Sequence, residues 1–364
     1  MSSASAFRLS LMSCLMLAGA LQGCKRAPKQ IALIPITIGV PLWDAAHAGA
    51  VTGAASCGLE IHYNGPARED DLQGQLALFD HSRQGEYAGI ILAPIQAQAL
   101  RNPVQRAASA GLPIVVIGED LGIRRSNVAY LLNDERAGGQ MAADEIGALL
   151  HGKGAVAIMG LDLNRVSSLE RDQGFEAELS KNFPAIHVVG RRSGSVNLAQ
   201  EQQIGQELLS LPHKVDALVA LSAASTRGAY FAKLNQAVQR TLHIVGFDQD
   251  LITSISTGEI DGVVAMQTHD LGRMAAEAIC AGVRGEPMRG GTVVRPLLVT
   301  AANIESQEVA GNCSSVPGGT TSRSEREAKS ADRSAGSLAD GDGCGMAGIS
   351  QPHAAAYRGF QQPG

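Results

Sequence analysis

Ile31-Ala-Leu-Ile-Pro-Ile-Thr-Ile-Gly-Val-Pro-Leu-Trp43 is an apolar run that breaks at Gly39 and Pro41 and then delivers the chain's only tryptophan. Its Ile, Leu and Val residues lack the polar alternation of a half-exposed strand. They predict a strand covered on both faces, as in a parallel sheet flanked by helices. Ligands on such sheets bind outside the carboxyl ends of the strands, and Trp43 falls just past that end, opening a helical segment. Aromatic residues make up only 4% of the chain, so an indole at a strand-to-helix turn is a candidate for lining a crevice. A core position is the alternative.

Working outward, similar runs alternate with helical patterns from Ile31 to about Val299, which predicts βαβ units with right-handed crossovers. In the first half, helices are expected at about Leu42–Ser56, Asp71–His81 and Gln98–Ala110, with strands at Leu59–Tyr63, Ala88–Pro94 and from Ile114 onward. Pro103 fits the third of these helices only near its first turn. The second half begins with a strand at Val128–Leu132 and a helix over Arg136–Leu150. Strands follow at Ala155–Met159, Ile186–Val189, Ala217–Leu221, His243–Phe247 and Gly262–Met266, then a helix at Leu271–Ala281 and a closing strand at Thr292–Val299. Two similar halves of about five strands each suggest a duplicated architecture.

At 364 residues the chain is long enough for two ordinary domains. The balance of 30 Lys and Arg against 35 Asp and Glu, with no basic block, argues against a nucleic-acid partner. The early apolar stretch Leu9–Leu21 is too short and too serine-rich to span a membrane, and reads as a secretory signal behind Arg8. It ends in LQGC, Leu21 to Cys24, which resembles a bacterial lipobox and implies lipidation at Cys24, with plain secretion as the alternative. Lys25–Gln30 would then be a tether to the membrane surface. None of the six cysteines has CxxC or zinc-ligand spacing, and bridges Cys57–Cys280 and Cys313–Cys344 are both open in an exported compartment. From about residue 306 to Gly364 the composition turns to Gly, Ser, Ala and charge, which reads as a disordered tail.

A series of strings resembles the ribose-binding proteins among the type 1 periplasmic binding proteins. GVPLW at Gly39–Trp43 is similar to the turn after that family's first strand, and YAGIILAPIQAQAL at Tyr87–Leu100 to its GxDAIILxP strand and loop. NDERAGGQMAADEI at Asn133–Ile146, ERDQGF at Glu170–Phe175, HIVGFDQD at His243–Asp250 and TGEIDGVVAMQT at Thr257–Thr268 follow in family order. GEPM at Gly285–Met288 and RPLLVT at Arg295–Thr300 close the set. The resemblance implies an α/β fold of two Rossmann-like lobes with parallel sheets, joined by a three-crossover hinge near Asn133, Thr268 and Pro296. On that scheme residues 31–132 with 268–296 form one lobe and 133–267 with 297–305 the other.

The resemblance also implies a ligand set of Trp43, Leu42, Glu119, Arg171, Ser222, Asp248 and Gln267. Arg171 matches a family arginine that binds sugar hydroxyls, Asp248 an aspartate at the end of a strand in the second lobe and Gln267 a glutamine at the third crossover, and Trp43 takes the place of a stacking phenylalanine. Val40, Leu42 and Ser222 depart from asparagine, phenylalanine and asparagine in the ribose-type pattern. Gly118 and Glu119 replace an aspartate and a following polar residue, so that Glu119 or Asp120 would supply the lost carboxylate. The departures imply a sugar or sugar-like ligand other than ribose.

The implied function is an exported monomer that hands its ligand to an ABC importer permease at the membrane surface, in the periplasm or on the cell surface. A ligand-presenting subunit for a sensor kinase or chemoreceptor is the alternative. An enzyme is disfavoured, because the first strand is not followed by GxGxxG and neither a GxSxG elbow nor a P-loop occurs. His47 and His62 stand isolated and read as surface or helix residues. No catalytic residue, metal or cofactor is expected. A DNA-binding repressor would need a helix-turn-helix where the signal segment stands.

Overall fold

The computed structural model describes residues 30–313, apart from 86, 164, 236–240 and 289–290. Cys24, the leader and tether before Gln30, and the tail beyond Cys313 with Cys344 lie outside the described residues. The first sheet contains β1 (Gln30–Ile34), β2 (Glu60–Tyr63), β3 (Tyr87–Leu92), β4 (Ile114–Ile117), β5 (Val128–Asn133) and β11 (Thr292–Val294). Their order is β11-β5-β4-β3-β1-β2, and every pair is parallel. The second sheet contains β6 (Lys153–Leu161), β7 (Ala185–Ser193), β8 (Ala217–Ala220), β9 (His243–Gly246), β10 (Gly262–Ala265) and β12 (Leu297–Thr300). Its order is β12-β10-β9-β8-β6-β7, parallel except where β12 runs antiparallel to β10.

Both halves thus share one winding pattern. Helices α1 (Pro41–Ala55), α2 (Leu72–Gln84), α3 (Ala97–Ser109) and α9 (Thr268–Val283) go with the first sheet. Helices α4 (Glu135–Leu149), α5 (Val166–Asn182), α6 (Leu198–Leu209) and α7 (Ala223–Asn235) go with the second, followed by the short α8 (Thr253–Ser256) and α10 (Gln307–Cys313). Pro41 at the first position of α1, Asp71 accepting from Gly74 N–H before α2 and Asp134 accepting from Ala137 N–H before α4 set the helix starts.

The central strands are buried on both faces. Along β1, Ile31 and Leu33 enter one core cluster with α1 and α9, while Ala32 and Ile34 enter another with Phe79 and Leu100. That two-sided burial is why the strand reads as unbroken hydrophobicity.

The structure corrects several boundaries. β1 ends at Ile34 and not at Gly39, because Pro35 has no N–H to continue the ladder. The run expected as one strand over Thr292–Val299 is two, β11 and β12, divided at Arg295-Pro296 and placed in different sheets, so each sheet has six strands. Pro103 sits in the middle of α3, not in its first turn. The chain is helical over Gln307–Cys313, where a disordered tail was expected, and Val309 is buried in the second-sheet core. His47 and His62 are not isolated: His47 stacks on Tyr63 at 4.6 Å, and the His62 ring lies 5.5 Å from Tyr87.

Of the two possible disulfides, Cys57–Cys280 is formed, linking the end of α1 to α9. The chain passes from the first sheet to the second after Asn133, back after Ala265 through Thr268, and over again at Arg295-Pro296. These passages lie together: Asp134 N–H donates to Val294 C=O, and Gln267 Nε2 donates to Arg295 C=O at 2.8 Å.

Candidate functional site

A cavity of about 260 Å³ lies where the carboxyl ends of both sheets meet. From the first sheet come Ile36 after β1, Ala93 and Pro94 after β3, Gly118 and Glu119 after β4, and Asn133 at the end of β5. The second contributes Gly160 and Asp162 from the end of β6, Ser195 and Val196 after β7, Ser222 after β8, Phe247 after β9 and Met266 after β10. In a sheet wound 2-1-3-4-5 the loops part around the first strand and open a crevice there. Here two such crevices face each other.

Two fully buried side chains hold the loops that shape this cavity. Gln75 on α2 donates through Nε2 to Pro35 C=O (2.9 Å) and Ala93 C=O (2.8 Å), and its Oε1 accepts from Ile95 N–H at 2.8 Å. It joins the loops after β1 and β3. Glu201 on α6 accepts from Ser195 N–H at 2.5 Å and fixes the loop after β7. Burial raises the Glu201 carboxyl pKa above the usual carboxylate range, opposed by that hydrogen bond. Neither residue was singled out from the sequence, where each is a polar position in an otherwise ordinary helix.

Of the expected ligand set, Leu42, Trp43, Glu119, Arg171 and Ser222 line the cavity. Trp43 answers to both readings of its position, since it is 8% exposed within the first core cluster and still forms part of the wall. Glu119, and not Asp120, faces inward, while Asp120 pairs with Arg124 on the surface. Burial raises the Glu119 pKa, partly offset by the positive charge of Arg165 and a 3.4 Å hydrogen bond from Ser167. Ser222 Oγ accepts from Ser225 N–H at 3.1 Å, in the manner of a helix N-cap for α7.

Arg171 is buried and tightly held. Its Nε donates to Glu135 at 2.6 Å, its Nη1 donates to Leu221 C=O at 2.8 Å, and the guanidinium lies 4.4 Å from the centre of the Phe247 ring. This geometry depends on a close helix crossing. A Cβ on Gly139 of α4 would collide with the Arg171 carbonyl oxygen, and one on Gly174 of α5 with that of Arg136.

Asp248 and Gln267 lie outside the cavity lining. Asp248 is 2% exposed and bound by Arg227, whose Nε donates at 2.6 Å, and it accepts from Asp250 N–H. Gln267 bridges two of the passages between sheets through Arg295. A nearby partner holds each of these side chains. Glu135, Arg165, Ser167 and Thr268 enter the wall without having been expected. Among the described residues no group of three or more His, Cys, Asp and Glu side chains is placed to hold a metal ion.

A family profile described as the periplasmic binding protein domain matches residues 31–287, most of the described chain. The chain belongs to the periplasmic binding protein family. Among curated members it is 25% identical over 266 residues to the xylitol-binding protein of Mycolicibacterium smegmatis, covering 71% of this chain and 73% of that one. It is 24% identical over 287 residues to the ribose import binding protein of Haemophilus influenzae, covering 76% of this chain and 94% of that one. A carbohydrate transporter solute-binding protein from Agrobacterium radiobacter, solved with D-arabinose, superposes with a TM-score of 0.71 at 22% identity, covering 79% of this chain and all of that one. The family's type 1 fold, two α/β units with a site between them, is the architecture described above.

Proposed function

We propose that this periplasmic binding protein captures a small polyhydroxylated solute, a sugar or sugar-like molecule, in the cavity between its two sheets and delivers it to an ABC importer. The observation that carries this reading is the cavity itself: about 260 Å³, at the carboxyl ends of two matched sheets, walled by Trp43 and by the polar groups of Glu119, Arg171 and Ser222. The size is near the lower limit of small-molecule sites, roughly 300–1,000 Å³, which suits a single sugar ring or short polyol. Curated relatives matched over most of their length carry names for xylitol and ribose binding. A planar guanidinium and a carboxylate can each make paired hydrogen bonds to adjacent hydroxyls, and an aromatic face can cover a ring.

Residues 31–132 with 268–296 and residues 133–267 with 297–305 would act as two lobes closing over the ligand about the three passages. No chemical step is needed for this work. Cys24 would carry the lipid that keeps the protein at the membrane, and Cys24→Ala should move it from the membrane fraction to the soluble one.

The test is a thermal-shift panel of pentoses, hexoses and alditols on the purified protein. A ligand at about 100 times its Kd adds roughly 2.7 kcal/mol of stability, a shift of several degrees. Silence across the panel would overturn sugar capture.

A further inference from the structure

The charge on the cavity wall points to a narrower ligand class. Three carboxylates, Glu69, Glu119 and Glu135, share the wall with two guanidiniums, those of Arg165 and Arg171. Glu135 and Arg171 neutralise one another in a 2.6 Å ion pair, which leaves the carboxylates of Glu69 and Glu119 to the single guanidinium of Arg165. A second, independent feature lies deeper in the same wall. Asn133 Oδ1 and Thr268 Oγ1 are buried and have no hydrogen-bond partner among the described residues. Both residues line the cavity and are at most 9% exposed.

Asn133 Oδ1 can only accept, Thr268 Oγ1 can accept, and ionised carboxylates accept without donating. The unfilled capacity is therefore weighted toward acceptors and toward negative charge. Trp43 adds an aromatic face, which attracts cations.

We infer that the cavity is built for a polyol or sugar that carries a protonated amine, with Glu119 and Glu69 supplying the countercharge and Asn133 and Thr268 accepting hydrogen bonds. An ammonium brings three donors and a positive charge in a compact group, so it fills acceptors and restores neutrality together. A neutral sugar fills acceptors but leaves the excess carboxylate charge desolvated on closure. The burial that disfavours ionised Glu119 in the free protein would be relieved by a bound cation.

This inference rests on the sugar-capture reading, and the experiment separates the two. Affinities are measured by calorimetry at neutral pH for matched pairs: D-glucosamine with D-glucose, D-galactosamine with D-galactose, and 1-amino-1-deoxysorbitol with sorbitol. At least one amine is expected to bind tenfold or more tighter than its neutral parent. Glu119→Gln and Glu69→Gln, each checked for an unchanged melting profile without ligand, should reduce that preference to threefold or less. Two carboxylates are tested so that one poorly folded variant does not decide the matter. Neutral parents that bind as well as their amines overturn the charge assignment and leave sugar capture standing. A preference that survives both substitutions also overturns it, because its source then lies elsewhere. If none of these compounds, nor any neutral sugar or alditol, binds, both readings fall.

Discussion

In the half of the fold around the first sheet, α1 and α9 approach so closely that a Cβ on Gly49 would strike the His269 carbonyl oxygen, and Cys57–Cys280 ties them covalently. In the other half, α4 and α5 approach as closely through Gly139 and Gly174, and an ion pair, Arg171 with Glu135, holds them. The strand order is shared, but the locks are chemically different. A disulfide acts mainly by restricting the unfolded chain and makes no demand on charge. A buried ion pair acts only while both partners are present, since each charge alone carries a desolvation penalty of several kcal/mol. The second lock also belongs to the cavity wall, so stability and the shape of the cavity are coupled in that half.

The sharpest way to break this comparison is to remove one partner of the ion pair. Arg171→Ala is expected to cost about 3–5 kcal/mol, because it leaves the Glu135 carboxylate buried and unpaired. Arg171→Met combined with Glu135→Leu should recover most of that loss while abolishing binding of any ligand found in the thermal panel. Denaturant unfolding of the single and double variants measures it. A loss below about 1 kcal/mol for Arg171→Ala would mean that Glu135 finds solvent, and that the lock is not one.

Removing the other lock should have a smaller effect of a different kind. Cys57→Ser with Cys280→Ser is expected to cost about 2–4 kcal/mol. Neither cysteine lines the cavity, so affinity for any ligand found in the thermal panel should stay within about twofold, on the order of 0.4 kcal/mol. Melting curves and calorimetry on the variant decide it. A large change in affinity would show that the α1–α9 lock also sets the cavity, and the contrast between the halves would fail.

These differences explain what the sequence could and could not say. Strands such as Ile114–Ile117 and Ala217–Ala220 were legible because two-sided burial permits nothing but apolar residues. Trp43, Glu119 and Arg171 were legible as wall positions because the chain places them at strand ends or on a matched helix motif. Asp248 was not, because its side chain is claimed by Arg227, 21 residues earlier, and nothing in either local string announces that pairing. The helix at Gln307–Cys313 was missed because Val309 is the one large aliphatic residue in its seven, too little to give a period. Gln75 and Glu201 work through backbone groups far along the chain, which no spacing rule reveals.

Gln75 and Glu201 give the finest version of the comparison. Both are fully buried on helices and both hold a cavity loop, yet one is a neutral amide and the other a carboxyl. Burial raises the folded-state pKa of Glu201 above its unfolded value, so the folded protein binds more protons between those two values. Its contribution to stability must therefore fall as pH rises from the unfolded carboxylate range, about 4.3, through the raised folded value. Glu201→Gln can still accept from Ser195 N–H and carries no charge to desolvate. The variant should match the parent near pH 4 and exceed it progressively toward neutrality, which denaturant unfolding at a series of pH values would measure. An equal deficit at every pH would mean that the carboxyl is stabilising in its own right, and that the two halves hold their loops by different means after all.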